Sequence, residues 1–209
     1  MHPPIPKERA LIDWGVAARP ISGETVSGDL HQVIPFDDRV LVAVIDGVGH
    51  GVEAAAASRV AADILESYAG ESTIALIQRC HQALLLTRGV VLTVAKLNPA
   101  ENTMTWLGVG NVEGRLLRAD PGANHPRESV LLRGGLVGCQ LPELRASVVP
   151  VAVGDLLVLA TDGIQAGFEN EIKLNETPGQ IAEKILSHHY RGNDDALVLV
   201  ARYLGMHHE

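Results

Sequence analysis

The chain has 209 residues, 46% of them hydrophobic, with two cysteines, 25 acidic against 17 basic side chains and a net charge of -8. That length can bury a sizeable core in one domain, and two cysteines make no disulfide framework. The acidic balance argues against a nucleic-acid or anionic-membrane partner, no apolar run approaches the ~20 residues that span a bilayer, and the expected partner is a protein.

Strand-like runs come first, near 11 to 17, 30 to 34 and 40 to 45, the last being the unbroken apolar stretch from Val40 to Ile45. Directly after it stands Asp46-Gly47-Val48-Gly49-His50-Gly51. Helical composition then covers 52 to 68 and 73 to 87, the second with Ile74, Ile77, Cys80, His81, Leu84 and Leu85 at helical spacing on one face. Strands are predicted near 90 to 97, 103 to 109, 112 to 118, 129 to 132, 145 to 152 and 155 to 161. They are punctuated by Asn98-Pro99, Asp120-Pro121-Gly122 and Gly134-Gly135. A helix begins near Pro178 with Thr177 as its cap, turns Ile181, Ile185 and Leu186 inward and stops before Gly192. The final strand runs to about Tyr203. Strand groups alternating with helices differ from a regular βαβ repeat, so periodicity predicts α+β with antiparallel sheets.

Acidic residues recur beside these strands. Asp46 sits where a strand turns into a helix, next to glycines whose backbone can approach a ligand. Asp162-Gly163 follows the apolar run Leu156 to Thr161, Ser27-Gly28-Asp29 follows a polar stretch, and Asn193-Asp194-Asp195 precedes the last strand. Carboxylates gathered from distant strand ends would repel one another without a cation, and hard divalent ions such as Mg²⁺ or Mn²⁺ take carboxylate, carbonyl and water oxygens.

These segments, in this order, resemble the metal-dependent type 2C protein serine/threonine phosphatases, in the branch of SpoIIE and RsbX. The matching residues are Ser27-Gly28-Asp29, Asp46 to Gly51, Gly154-Asp155 with Ala160-Thr161-Asp162-Gly163-Ile164, and Asp194-Asp195. Gly108-Val109-Gly110-Asn111-Val112 looks most like the RsbX subgroup, whose members are likewise short phosphatase domains. The resemblance implies a four-layer αββα sandwich, with two central antiparallel sheets flanked by helices, over residues 1–209 as a single phosphatase domain. By position it implies that Asp46 bridges two Mn²⁺ or Mg²⁺ ions and that the Gly47 carbonyl ligates one. Asp162 and Asp194 would complete one metal site and Asp29 would support the other. The ions would acidify a bridging water, which attacks phosphorus as hydroxide, so no enzyme nucleophile is required. The implied substrate is a phosphorylated STAS-domain protein of a bacterial stress-signalling assembly, the stressosome. The chain departs from the pattern at Leu197, where related sequences often have Thr, and at Val48, where the eukaryotic pattern has His.

Other residues receive plainer readings. Arg19 is a candidate phosphate contact, with a solvated surface arginine as the equal alternative. Cys80 and Cys139 are expected to be buried or partly buried thiols. His50 is expected to make a turn hydrogen bond rather than act as an acid, and His188-His189 and His207-His208 are assigned no ligand role. Met1-His2-Pro3-Pro4 lacks a basic-then-apolar signal, which reads as cytoplasmic. The interval from Arg133 to Ser147 leaves little room for a large substrate-gripping flap. Two other classes stay open: a catalytically weak phosphatase-like binding module, and a GHKL-type ATP-binding anti-sigma kinase. The kinase fold shares the Asp-x-Gly-x-Gly box but needs an Asn-bearing helix ahead of it.

Overall fold

The computed structural model describes residues 10–206; Met1-His2-Pro3-Pro4 and His207-His208 lie outside them. Strands β1 (Ile12–Arg19), β2 (Asp29–Phe36) and β3 (Arg39–Gly47) precede helices α1 (Val52–Ser67) and α2 (Thr73–Leu84). Then come β4 (Val90–Asn98), β5 (Thr103–Val109), β6 (Glu113–Leu117), β7 (Arg127–Ser129), β8 (Leu132–Arg133), β9 (Ser147–Pro150) and β10 (Leu156–Ala160). Helix α3 (Pro178–His189) and strand β11 (Ala196–Tyr203) follow.

The strands form two sheets, ordered β1-β11-β10-β6-β7 and β2-β3-β4-β5-β8, with β9 added onto β5. All pairings are antiparallel except a short parallel contact between β5 and β8. Three apolar layers hold the stack together. Between the sheets lie Val42, Val44, Met104, Trp106, Leu157, Leu159 and Leu199. Leu41, Ala43 and Ile45 pack instead with Leu65, Ile77 and Leu84 of α1 and α2, and Val158 and Val200 with Ile181 and Ile185 of α3. β3 is thus covered on both faces, which is why it reads as one unbroken apolar run. Each fully buried Leu, Ile or Val contributes about 1.5–3 kcal/mol of transfer free energy. The result is the expected αββα sandwich.

Helix α3 starts as predicted. Thr177 Oγ1 accepts from the Gln180 amide at 3.3 Å while Gln180 Oε1 accepts from the Thr177 amide at 3.0 Å, a reciprocal cap with Pro178 in the first turn. Replacing Thr177 by Ala should cost about 1 kcal/mol, read as a lower denaturant midpoint with unchanged slope.

Several expectations need correction. The strand predicted at 129 to 132 is two short strands in different sheets: the chain crosses the sandwich at Val130, which is buried in the intersheet core. Helix α2 stops at Leu84, where Thr87 Oγ1 and the Thr87 amide both bond the Leu84 carbonyl, at 2.8 and 2.9 Å. Leu85 therefore turns out to solvent at 51% exposure, and Leu76 takes its place in the core. Cys80 is buried, but Cys139 is exposed, because it follows Gly138 in the tight Leu136–Gln140 turn. That turn belongs to the 134–146 segment, which lies down on the helical side of the sandwich. Gly138 donates its amide to His81 Nδ1 at 3.0 Å, and Leu141 and Leu144 pack on the core under α1 and α2. Among the described residues no helix is long and apolar enough to cross a membrane.

Candidate metal centre

Four of the predicted acids meet at one end of the sandwich. Asp29 opens β2 and Asp46 lies near the end of β3, and the two are direct cross-strand partners. Asp162 follows β10 and Asp194 precedes β11, which are neighbours in the other sheet. A bond between the sheets brings the two pairs together: Thr161 Oγ1 donates to Asp29 Oδ2 at 2.7 Å, and the same oxygen accepts from the Leu197 amide at 2.9 Å.

Glycines set how closely the elements approach. The alanine-rich face of α1 rests on Gly47 so tightly that a Cβ there would fall 2.2 Å from the Ala54 carbonyl oxygen. Any side chain at 47 would push the helix off the strand end. A Cβ at Gly163 would fall 2.0 Å from the Asp195 carbonyl oxygen, so Asp162 can sit against the Asp194-Asp195 turn only because glycine follows it. Ser58 of α1 reaches across with a 2.5 Å hydrogen bond to the Gly28 carbonyl.

Most of the carboxylates are held by neutral donors. Asp162 Oδ2 accepts from Asn111 Nδ2 at 2.7 Å, and Asp194 Oδ1 from the Asp195 amide at 2.8 Å. Asp195 differs from the rest: it is buried, and its oxygens take the amides of Ile21 and Gly28 at 2.7 and 2.6 Å. It therefore ties the 20–28 loop to β11 and has little left for a ligand. Asp46 is half-buried, and among the described residues no hydrogen bond holds its carboxylate down.

The electrostatics are those of uncompensated negative charge. Burial, then repulsion from Asp29, Asp162, Asp194 and Asp195, pushes Asp46 up to about 8. Burial likewise lifts Asp29 to about 7, with the Thr161 hydrogen bond pulling against it and Asp195, Asp194 and Asp162 adding to it. Asp162 is raised by burial and Asp194, and lowered by Arg191 and Asn111.

No three carboxylate, imidazole or thiol groups among the described residues close on one point as a ready-made cage. The carboxylate and carbonyl oxygens at this end of the sandwich are of the donor type that Mg²⁺ and Mn²⁺ take, together with water. An all-oxygen donor set gathered around unpaired charge is what those ions require. The structure thus brings together Asp29, Asp46, Gly47, Asp162 and Asp194.

Arg19 ends β1 beside Ala196, but its guanidinium lies over the Tyr190 ring, 5.2 Å from the centroid, and Tyr190 in turn donates to the Asp194 carbonyl. His50 Nδ1 faces Glu24 Oε1 at 2.9 Å, a contact between two loops 26 residues apart rather than the expected hydrogen bond within the turn. His188 and His189 both face Glu171. The supporting roles of Thr161, Asn111 and Asp195 were not assigned from the sequence. Their partners stand 132, 51 and at least 167 residues away; Thr161 and Asp195 at least adjoin Asp162 and Asp194 in sequence, whereas Asn111 adjoins no candidate acid. Removing the Thr161 hydroxyl with Thr161→Val should raise the Mn²⁺ concentration for half-maximal activity by about 10–100-fold, since Asp29 loses the donor that orients it. A metal-activation curve checks this.

The described residues ahead of the Asp46 turn form strands β1, β2 and β3, where the kinase fold needs an Asn-bearing helix.

Comparison with known proteins shows the family and the fold. The family model described as "Stage II sporulation protein E (SpoIIE)" matches residues 37–204. The chain is 27% identical over 163 residues to phosphoserine phosphatase RsbX of Bacillus subtilis (strain 168), covering 78% of each. A structure from a study of the bacterial stressosome as a modular system adapted to control secondary messenger signaling superposes with a TM-score of 0.83. It is 29% identical, over 91% of this chain and 99% of that one. A crystal structure of RsbX in complex with magnesium superposes with a TM-score of 0.82 at 23% identity, over 92% and 95% of the two chains.

Proposed function

The chain belongs to the SpoIIE family of PP2C-type protein serine/threonine phosphatases, and from that premise we propose that residues 1–209 act as one phosphatase domain on phosphoserine or phosphothreonine in a partner protein. The observation that carries the reading is the meeting of Asp29, Asp46, Asp162 and Asp194 around uncompensated charge. The residues that would hold Mn²⁺ or Mg²⁺, two ions on this reading, are Asp29, Asp46, the Gly47 carbonyl, Asp162 and Asp194, with Asp46 as the central ligand. Metal ions held there would supply Lewis acidity, lowering the pKa of water at the site and offsetting negative charge on the phosphoryl group.

The protein's own part is positioning. Asp46 presents a free carboxylate from the end of a strand paired on both sides. Thr161 orients Asp29, and Asn111 orients Asp162. Asp195 keeps the 20–28 loop closed against β11, which fixes Asp29 in turn. No cysteine chemistry is called for at Cys80: burial pushes that thiol up to about 12, far from the thiolate a nucleophile needs.

The likeness to RsbX and to a stressosome structure supports a phosphorylated STAS-domain protein as the substrate. The 134–146 segment packs down on the body of the protein, so substrate selection falls to docking between folded surfaces rather than to a gripping flap. Purified protein should hydrolyse a phosphoserine peptide and an aryl phosphate only with added Mn²⁺ or Mg²⁺. Turnover that persists undiminished in a chelator would sink the metal mechanism, and no turnover on either substrate would sink the phosphatase reading.

A further inference from the structure

We propose that Arg88, and not Arg19, is the side chain that contacts the substrate phosphate, an inference that rests on the phosphatase reading above. Arg88 lies in the link between α2 and β4, just before Gly89, whose carbonyl accepts the Val48 amide at 3.2 Å. The link is therefore pinned to the Asp46–Gly51 turn. Gly49, at a φ of +87°, faces the guanidinium: a Cβ there would stand 2.9 Å from Arg88 Nη1. Glycine at 49 leaves the space that lets this cation close over the turn.

The guanidinium has freedom to change partners. Its Nη2 pairs with Glu53 in the first turn of α1, but the two side chains are 49% and 71% exposed. A pair that open to solvent gains little, so exchange for a phosphate dianion is cheap. The exchange is also favourable in kind, because the planar fork of arginine matches two phosphate oxygens. Two further arginines near the site have partners of their own. Arg19 is stacked on Tyr190, and Arg191 acts on Asp162 while its Nε points to the Ile164 carbonyl at 3.4 Å. A phosphate approaching a cluster dominated by aspartates needs a cation on its path, and Arg88 is placed beside the turn that carries Asp46.

The test compares the wild type with Arg88→Ala, Arg88→Lys and Glu53→Gln. It reads kcat and KM on a phosphoserine peptide at saturating Mn²⁺, and the inhibition constant of inorganic phosphate. Arg88→Ala should raise both KM and the phosphate inhibition constant about 10–100-fold, the size expected for a lost charge-assisted contact, with an unchanged melting temperature. Arg88→Lys should recover part of the loss. Glu53→Gln, which frees the guanidinium, should leave KM equal or lower it. Unchanged constants in Arg88→Ala would overturn the assignment, and so would a Glu53→Gln protein that reproduces the loss, since the pair would then be only a brace. A wild type with no Mn²⁺-dependent turnover would take the phosphatase reading down together with this one. Turnover in the wild type with a neutral Arg88→Ala removes Arg88 alone.

Discussion

Asp46→Asn is expected to reduce Mn²⁺-dependent hydrolysis of a phosphoserine peptide by at least about a thousandfold while leaving a folded protein. Metal catalysis of this kind supplies several kcal/mol of transition-state stabilisation, and each 1.36 kcal/mol is a factor of ten in rate. Asparagine keeps the shape of the side chain but loses the negative charge that would lie between the ions. Asp46 is paired through β3 to Asp29 on one side and Val91 on the other, so the backbone has no reason to move. The amide also relieves repulsion from four neighbouring aspartates. Steady-state kinetics with far-UV circular dichroism checks both halves. A variant that retained a tenth of the activity would exclude Asp46 as the ion-bridging residue.

The parts of the fold that sequence made legible are those fixed by local chemistry. Val40 to Ile45 reads as a strand because both of its faces are buried, and Thr177-Pro178 announces a helix because the cap and the ring constrain the backbone there. Asp46 and Asp162 were visible as site residues because each stands between an apolar strand and a glycine that permits close approach. What stayed hidden depends on partners remote in the chain. Nothing local tells that Thr161 should bond Asp29 or that Asp195, adjoining a candidate ligand, is a clamp on Gly28 rather than a ligand itself. The same limit explains the smaller errors. Leu85 continues the apolar spacing of α2, yet Thr87 ends the helix before Leu85 can face the core. The 129 to 132 run looks like one strand, but it divides where the chain passes from one sheet to the other.

The metal-free protein should lose stability as pH rises, and a divalent cation should restore it. Asp46 and Asp29 are lifted to about 8 and about 7 in the folded state, against 3.8 for an unperturbed aspartate. A carboxyl with a raised folded pKa binds its proton more tightly in the native state than in the unfolded one. Its favourable contribution is therefore complete below about pH 4 and is lost as pH climbs through 7 to 8. His31, whose pKa burial lowers, works in the opposite sense at more acid pH, so the wild-type curve alone mixes the two. The difference in melting temperature between Asp46→Asn and wild type isolates the aspartate. In a chelator it should be small near pH 5 and should grow in favour of the variant toward pH 8.5. Adding Mn²⁺ at pH 8 should reverse the order, because an ion that binds only the folded wild type stabilises it by about 2.7 kcal/mol at a hundred times its dissociation constant. Protons and metal compete for the same oxygens, so the concentration of Mn²⁺ needed should rise as pH falls below 7. If the two proteins kept a constant separation across this range, with and without the ion, the carboxylates at this end of the sandwich would not be the uncompensated cluster from which the metal centre is argued.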